Sequence, residues 1–407
     1  MKNILRILAC IVAVLSMVVS PTIAVAQTSA LKTLILDKDM LEQLRLGYVN
    51  KEKAYERVVK KILDESNKLL TQKPLSVVDD SIVPPSGDKH DFVSMAPYFW
   101  PDPTKKDGLP YIQRDGERFP EIYKYTDPDN LAKTLDGCRL LAMSWFITGN
   151  SKYSAKAAEK IRVWFCNKET RMNPNMKHAQ FIRGINEGRA AGLIQTKDLH
   201  KVLDAIIILR QTKEWSGADD RNIRQWFEEY FTWLTTHQYA IDESKRENNH
   251  GTWYDVQAAS IALFLGKDEI ARNILETAKE KRISPQIQDD GKQPNELRRT
   301  RSWHYSCMNL SAHTHLALLG EHAQVDLWNY QSKQGGSIRK ALDYLLPFAS
   351  DSSKWGYKQI TPFQPERETI GLLCMAEKKY DKQKYYSDWL KKISSDKNLI
   401  SLYDLFY

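Results

Sequence analysis

From about residue 39 to its end, the chain repeats one pattern: an apolar helical stripe, a short polar turn, then another apolar helical stripe. Helical spacing predicts one or two helices over Leu41–Leu70. It then recurs over Leu131–Thr148, Ser154–Cys166, Leu199–Lys213, Asp220–Tyr239, Thr252–Leu265, Glu269–Arg282, Trp303–Leu319, Ile338–Leu346, Arg367–Glu377 and Lys382–Ile393. Turns such as Gly149-Asn150-Ser151 and Gly266-Lys267-Asp268 join several of these in pairs. Strand signals are few and no βαβ alternation occurs, which argues against an α/β enzyme. Helical hairpins repeated over roughly 350 residues predict an all-α fold, an (α/α)n toroid or incomplete barrel. No repeat of fixed length is visible, which disfavours a binding solenoid. Thr71–Asp129 departs from the pattern. It is rich in Pro, Asp, Gly and aromatics, and reads as a long loop shaping a cleft.

Met1–Ala26 has the form of a secretory leader: Lys2 and Arg6, an apolar run from Ile7 to Val19, and the small-x-small site Ala24-Val25-Ala26. Cleavage is expected near Ala26/Gln27, giving a periplasmic or secreted protein with a single domain over 27–407. No later segment approaches the length of a membrane span. Loss of Lys2 and Arg6 takes the formal charge from +8 to +6. That mild excess, without a lysine-rich tail or a nucleic-acid motif, favours an acidic glycan over nucleic acid. Cys138, Cys166, Cys307 and Cys374 lack metal-ligand spacing and lie in apolar helical patterns, as buried thiols do. His313 and His315 are two apart on a predicted helix and do not share a face, so no metal site is expected.

Two polar clusters interrupt the apolar helices. In the first, Asn248-Asn249-His250-Gly251-Thr252-Trp253-Tyr254-Asp255, the spacing of Thr252 and Asp255 suits an acidic capping box. Asn249 and His250 are then expected just before a helix N-terminus, whose free N–H groups favour an anion. The second, Glu296-Leu297-Arg298-Arg299-Thr300-Arg301-Ser302-Trp303-His304-Tyr305, adds guanidinium, imidazole and phenol. On an unbroken helix, Arg298 and Arg301 would share the face of Tyr305. Three nearby cations would lower its phenol pKa.

Four separated segments carry a resemblance. They are Met95-Ala96-Pro97-Tyr98-Phe99-Trp100-Pro101-Asp102-Pro103, Gln180-x-x-Arg183-Gly184-x-Asn186-x-Gly188-Arg189, Asn249-His250-Gly251-Thr252-Trp253, and Glu296-Leu297-x-Arg299 with His304-Tyr305. In this order they resemble the alginate lyase superfamily, exported α/α-toroid polysaccharide lyases acting on polyuronates, over about residues 90–320. The long Tyr-Phe-Trp-Pro-Asp-Pro segment is similar to members from gut Bacteroidetes. The resemblance implies β-elimination without a metal or other cofactor. Asn249 and Arg299 would neutralise the substrate carboxylate, with His250 nearby; one well-placed donor of this kind contributes roughly 3–4 kcal/mol. Arg299 in that role requires the helix to begin after it, and Arg298 is the alternative. Tyr305 would be the acid at O4. Either Tyr305 or His250 would take the C5 proton, depending on whether that proton and O4 lie on the same side of the ring. Tyr98, Trp100 and Trp253 offer faces for sugar stacking. His178, Gln180, Arg183, Asn186, Asn248, Arg298, Arg301 and His304 are the further candidates for lining the cleft.

The function expected is a monomeric, exported lyase that cleaves an acidic polysaccharide, alginate and especially its mannuronate-rich blocks, with glucuronan as the near alternative. An inverting hydrolase would need two opposed carboxylates, for which Asp136, Glu187, Asp289 and Glu296 are the candidates. A non-catalytic glycan-binding protein would keep the cleft and do no chemistry.

Overall fold

The computed structural model describes residues 31–380 and 384–393. The expected leader over 1–26 with its cleavage site lies outside them, as do Lys382 and Gln383 at the start of the last predicted helix. The helices are α1 (Lys38–Val49), α2 (Lys53–Leu70), α3 (Asp127–Thr148), α4 (Ser151–Ile161), α5 (His200–Leu209), α6 (Gly217–Thr236), α7 (Gln238–Ser244), α8 (Asn249–Phe264) and α9 (Asp268–Ala278). Two short ones follow, α10 (Ser284–Gln286) and α11 (Pro294–Leu297). Then come α12 (Ser302–Ala323), α13 (Ile338–Ser350), α14 (Pro365–Tyr380) and α15 (Tyr385–Ile393). The predicted all-α architecture is what the chain adopts.

Burial sorts the helices into two layers. Residues of α3, α8 and α12 are buried almost all round, as Trp253, Asp255, Val256, Gln257, Ala258 and Ala259 are in succession on α8. By contrast, α9 buries only Ala271, Leu275 and Ala278, one stripe at helical spacing, and α2 buries Val58, Val59, Ile62 and Ser66. The inner helices follow one another in space, α3 on α5, α5 on α8, α8 on α12 and α12 on α14, and α1, which buries only Leu41, Leu44 and Gly47, packs on α3. The amphipathic helices α2, α4, α9 and α13 cover them from outside. The ends of this arc are tied together. Lys378 of α14 lies 3.0 Å from Asp37 at the start of α1, and the His322 ring lies 3.0 Å from Leu34 O. Asp204 of α5 accepts from the N–H groups of Leu34, Ile35 and Leu36.

Several boundaries differ from expectation for identifiable reasons. Leu41–Leu70 takes the two-helix form of its expectation, with the break after α1 where Lys51 adopts φ +55°. The predicted Asp220–Tyr239 helix is two, separated by extended His237. The helices expected to reach Cys166 and Arg282 instead end in single π-turns, Arg162–Cys166 and Lys279–Ile283. α8 begins earlier than its predicted cap: Asn248 is the N-cap and accepts from His250 N–H at 3.2 Å. Asn249 and His250 therefore occupy the first helical turn rather than preceding it. Thr252 bonds to Gln286 and Asp255 pairs with Arg282, so neither caps the helix.

The irregular segment between α2 and α3 is ordered. It carries β1 (Val93–Met95), β2 (Phe99–Trp100) and β3 (Ile112–Gln113), with β4 (His178–Phe181) further on. β1 pairs parallel with β4, and β2 antiparallel with β3. Val93, Met95, Ala96, Phe99, Tyr111, Tyr125 and Ile182 form a small apolar core of their own beneath these strands.

Arg282 locks the corner between α7 and α8. Its side chain is 1% exposed and donates to both oxygens of Asp255, at 2.7 and 3.1 Å. It also donates to Ser244 O and Arg246 O, at 2.7 and 2.6 Å. Gly251 makes room, because a Cβ there would stand 2.0 Å from Arg246 O and 2.4 Å from the Arg282 guanidinium. Arg282→Ala leaves the buried Asp255 with only Lys281, at 3.7 Å, and strands two carbonyls. It should lower unfolding free energy by about 3–5 kcal/mol, read by urea denaturation.

Candidate active site

The first turn of α8 and the segment leading into α12 meet through Glu296. This carboxylate is fully buried. Asn249 donates to it twice, from its backbone N–H to Oε1 at 2.6 Å and from its amide to Oε2 at 2.9 Å. Burial raises the Glu296 pKa, while the Asn249 hydrogen bonds and the nearby Arg299 and His250 pull it down. The backbone N–H of Arg299 donates to Glu296 O at 3.0 Å. The Arg299 guanidinium then lies over the Tyr305 ring, 3.8 Å from its centre. The Tyr305 hydroxyl is 2.7 Å from that of Tyr98, which also lies 3.5 Å from an Arg301 Nη1 donor. Amide, imidazole, guanidinium and two phenols thus belong to one connected cluster.

α12 begins at Ser302, after the arginines, because Arg301 is held extended by a bridge to Gln359. The helical-face grouping of Arg298 with Arg301 and Tyr305 therefore does not hold. Arg298 is exposed and turned to Asn295, away from the cluster, and Arg299 is the residue at the phenol. Its charge is not free. Asp115, from the irregular segment, accepts from Arg299 Nη2 at 2.6 Å and from its Nε, and also from the Thr300 N–H at 3.0 Å. Burial opposes the charge of Arg299, but Asp115 and the Tyr305 ring outweigh it and raise the guanidinium pKa. The expected lowering of the Tyr305 phenol is also reversed. Burial and the Tyr98 hydroxyl raise it, against the pull of Arg299.

His250, with its side chain 21% exposed, faces a carboxylate that sequence reading missed. Its Nδ1 lies 2.5 Å from Glu243 Oε1, at the end of α7. Seven residues across a helix break gave no periodic signal for that pairing. Arg189 closes the Gln180–Arg189 segment. It sits beside Glu243, donates to Gln180 Oε1 at 2.7 Å, and burial lowers its pKa to about 10. Asn186, Arg189, Tyr239, Asp242, Lys245 and Arg246 line a cavity of about 560 Å³.

Other candidates serve the scaffold. Trp253 is 3% exposed, packed against the His315 ring with Lys197 over its face, so it presents no platform to a sugar. Asn248 is occupied as the cap of α8. His178 is buried between Glu187 O and Asp91. Gln180 is buried in a left-handed conformation, φ +51°, held by Ser94 and Arg189. Arg183 is paired with Glu121 at 2.5 Å. Asn186 reaches the cavity but uses its Oδ1 on the Ile182 N–H. Trp100 is half-buried, with its ring between Phe119 and Arg114. His304 stands beside the Tyr305 ring and is held by Glu368 of α14 at 2.7 Å. Burial lowers the pKa of His313 to about 3 and of His315 to about 4. The hydrolase carboxylates do not converge. Asp136 is exposed and paired with Lys201, Glu187 and Asp289 are exposed, and both oxygens of Glu296 are taken by Asn249.

A family model described as alginate lyase matches residues 76–355. The crystal structure of an alginate lyase from Bacteroides ovatus is 32% identical to this chain. The match covers 92% of this chain and 99% of that one, with a TM-score of 0.87. Alginate lyase A1-III from Sphingomonas species A1 matches over 90% of this chain and 94% of its own, with a TM-score of 0.56. At 14% identity that likeness is one of fold. No curated protein matches the sequence.

Asp115 gives a pH test. Burial would raise its carboxyl pKa, but Arg299 and Thr300 overcome this and hold it below the ordinary 3.8. Its stabilisation is therefore complete above that value and is lost as pH falls through the lower folded one. Asp115→Asn should cost roughly 1.5–3 kcal/mol near pH 7. The melting-temperature gap to wild type should narrow as pH falls below 3.8.

Proposed function

The chain belongs to the alginate lyase family, and on that footing we propose that this polysaccharide lyase is exported and cleaves alginate by β-elimination without a metal. The observation that carries the reading is the convergence of Asn249 and His250 with Arg299, Tyr305 and Tyr98 around Glu296. A uronate carboxylate placed there meets the Asn249–His250 turn at the N-terminus of α8, whose dipole favours an anion. Neutralising that carboxylate makes the C5 proton removable. The C5–H electrons then form the C4–C5 double bond as the C4–O4 bond breaks and O4 takes a proton. The products are an unsaturated uronate and a new chain end, and no water is consumed.

Mannuronate-rich blocks are the first choice of substrate. There the C5 proton and O4 lie on one side, and Tyr305 can take the one and return it to the other. Arg299, 3.8 Å over the ring, supports the phenolate form needed for this. One observation favours a second reading. Burial holds the Tyr305 phenol protonated, while His250 has a carboxylate partner. Tyr305 as acid and His250 as base suit a uronate with the C5 proton and O4 on opposite sides, guluronate or glucuronate. Lys245 and Arg246, beside the cavity, would hold carboxylates of neighbouring sugars.

Tyr305→Phe and His250→Ala should each lower kcat by about 10²–10⁴-fold with melting temperature little changed. Product formation is followed by ultraviolet absorption on polymannuronate, polyguluronate and glucuronan. Wild-type turnover in both variants would refute the reading, and the preferred polymer decides between the two stereochemistries. Lys245→Ala combined with Arg246→Ala should raise KM for polymer several-fold and leave kcat near wild type; an unchanged KM removes these two residues from the substrate path.

A further inference from the structure

We propose that Glu243 is a positioning residue for the reaction, fixing the tautomer and ring plane of His250 so that Nδ1–H is committed to the carboxylate and Nε2 alone is offered to the cleft. The proposal rests on the reading of His250 as a residue of the active site, and it holds whether His250 works as base or as carboxylate clamp.

Glu243 lies at the end of α7 with its side chain only 1% exposed. Its Oε1 is 2.5 Å from His250 Nδ1, and its Oε2 has no hydrogen-bond partner among the described residues. An ionised carboxylate only accepts hydrogen bonds, so the proton between them belongs to Nδ1. In the neutral ring the lone pair is then on Nε2, and in the charged ring Nε2 carries the second proton. Either way the chemistry is directed away from α7.

A carboxylate is a costly group to place here for packing alone, since an apolar side chain would fill the gap between α7 and α8 without desolvating a charge. The corner that holds it is rigid. Arg282 donates to Ser244 O and Arg246 O on one side and to Asp255 of α8 on the other. Those bonds fix the backbone on either side of the α7–α8 turn, and the Glu243 side chain is buried within it. Of the other charged groups nearby, Arg189 also draws on the Glu243 charge but gives its hydrogen bond to Gln180, Glu296 accepts from Asn249, Arg299 pairs with Asp115, and Arg246 lines the cavity. Glu243 is therefore the group that sets the proton on this imidazole.

The test uses the full-length mature protein with Glu243→Leu and Glu243→Gln. Ring ¹⁵N NMR of the wild type, with the His250 signals assigned by their loss in His250→Ala, should show protonated Nδ1. Glu243→Leu should lose that preference and lower kcat by about 10²–10⁴-fold, as expected when the imidazole of a catalytic pair loses its orienting carboxylate. KM should stay within a few-fold of wild type, and the variant should remain folded by circular dichroism, with any loss of melting temperature traced to Arg189. Glu243→Gln, whose carbonyl can still accept from Nδ1–H, should retain the tautomer and more of the activity. A neutral wild-type ring protonated on Nε2, or a folded Glu243→Leu variant with wild-type kcat, overturns the proposal. If the wild type makes no unsaturated product from any polyuronate, the lyase reading fails. The ring spectrum of the free protein still decides what Glu243 does to His250.

Discussion

One buried guanidinium determines whether this site exists. Arg282 stands in the π-turn after α9, where the chain makes a single wide turn before α10. From there it reaches inward to Asp255 on α8 and to the last carbonyls of α7 and its connecting turn. An ion pair this deep repays its desolvation only when every donor is used, and here Nε, Nη1 and Nη2 all find acceptors. The effect is to bring α7 and α8 together at a fixed corner. That corner sets Glu243 against His250 and aims Asn249 at Glu296. A glycine at 251 is the steric condition for it, since the Arg246 carbonyl packs where a side chain would begin.

Charge in the site is compensated almost residue by residue. Arg299 is matched by Asp115, and His250 by Glu243; His304 is matched by Glu368. Three arginines within four residues suggest a strongly cationic cleft, but the fold supplies a carboxylate to Arg299 and turns Arg298 outward. On the proposed reading, a uronate would meet an array of oriented donors more than a pool of positive charge. Such an array needs little rearrangement when negative charge develops on an enolate, and that is the source of its catalytic value. The same compensation leaves the Tyr305 phenol controlled by burial and by Tyr98, which is why its pKa goes up.

The helical architecture was legible because inner and outer helices each keep a simple apolar pattern. The residues that form the cluster were also legible from their motifs. The wrong expectations share a cause. Thr252 and Asp255 have capping-box spacing, yet both are recruited by residues far along the chain, Gln286 and Arg282. Trp253 reads as a sugar platform only until α8 is known to be an inner helix, buried on nearly every face. Arg298 and Arg301 fall on the Tyr305 face only if the helix runs through them, and the bridge from Arg301 to Gln359 prevents that. Glu243 and Asp115 were invisible for the complementary reason. Their partners are set by tertiary geometry, across a helix break in one case and from a long irregular segment in the other.

The toroid itself explains why the site lies where it does. Hairpins that alternate inner and outer helices make the inner ones run in the same sense, so their N-termini gather at one end. α8 and α12 both begin at the cluster, and α14 begins beside it, since Glu368 in its first turn reaches His304 at the start of α12. Each start leaves unpaired N–H groups and a partial positive charge. An anionic polymer lying across that end meets the dipoles of several helices before it meets any one side chain. Individual carboxylates then need only a few specific donors to settle their register. Asn249, buried in the first turn of α8, gives its backbone N–H and its amide to Glu296, so the anion that helix end and side chain hold together within the fold is that carboxylate.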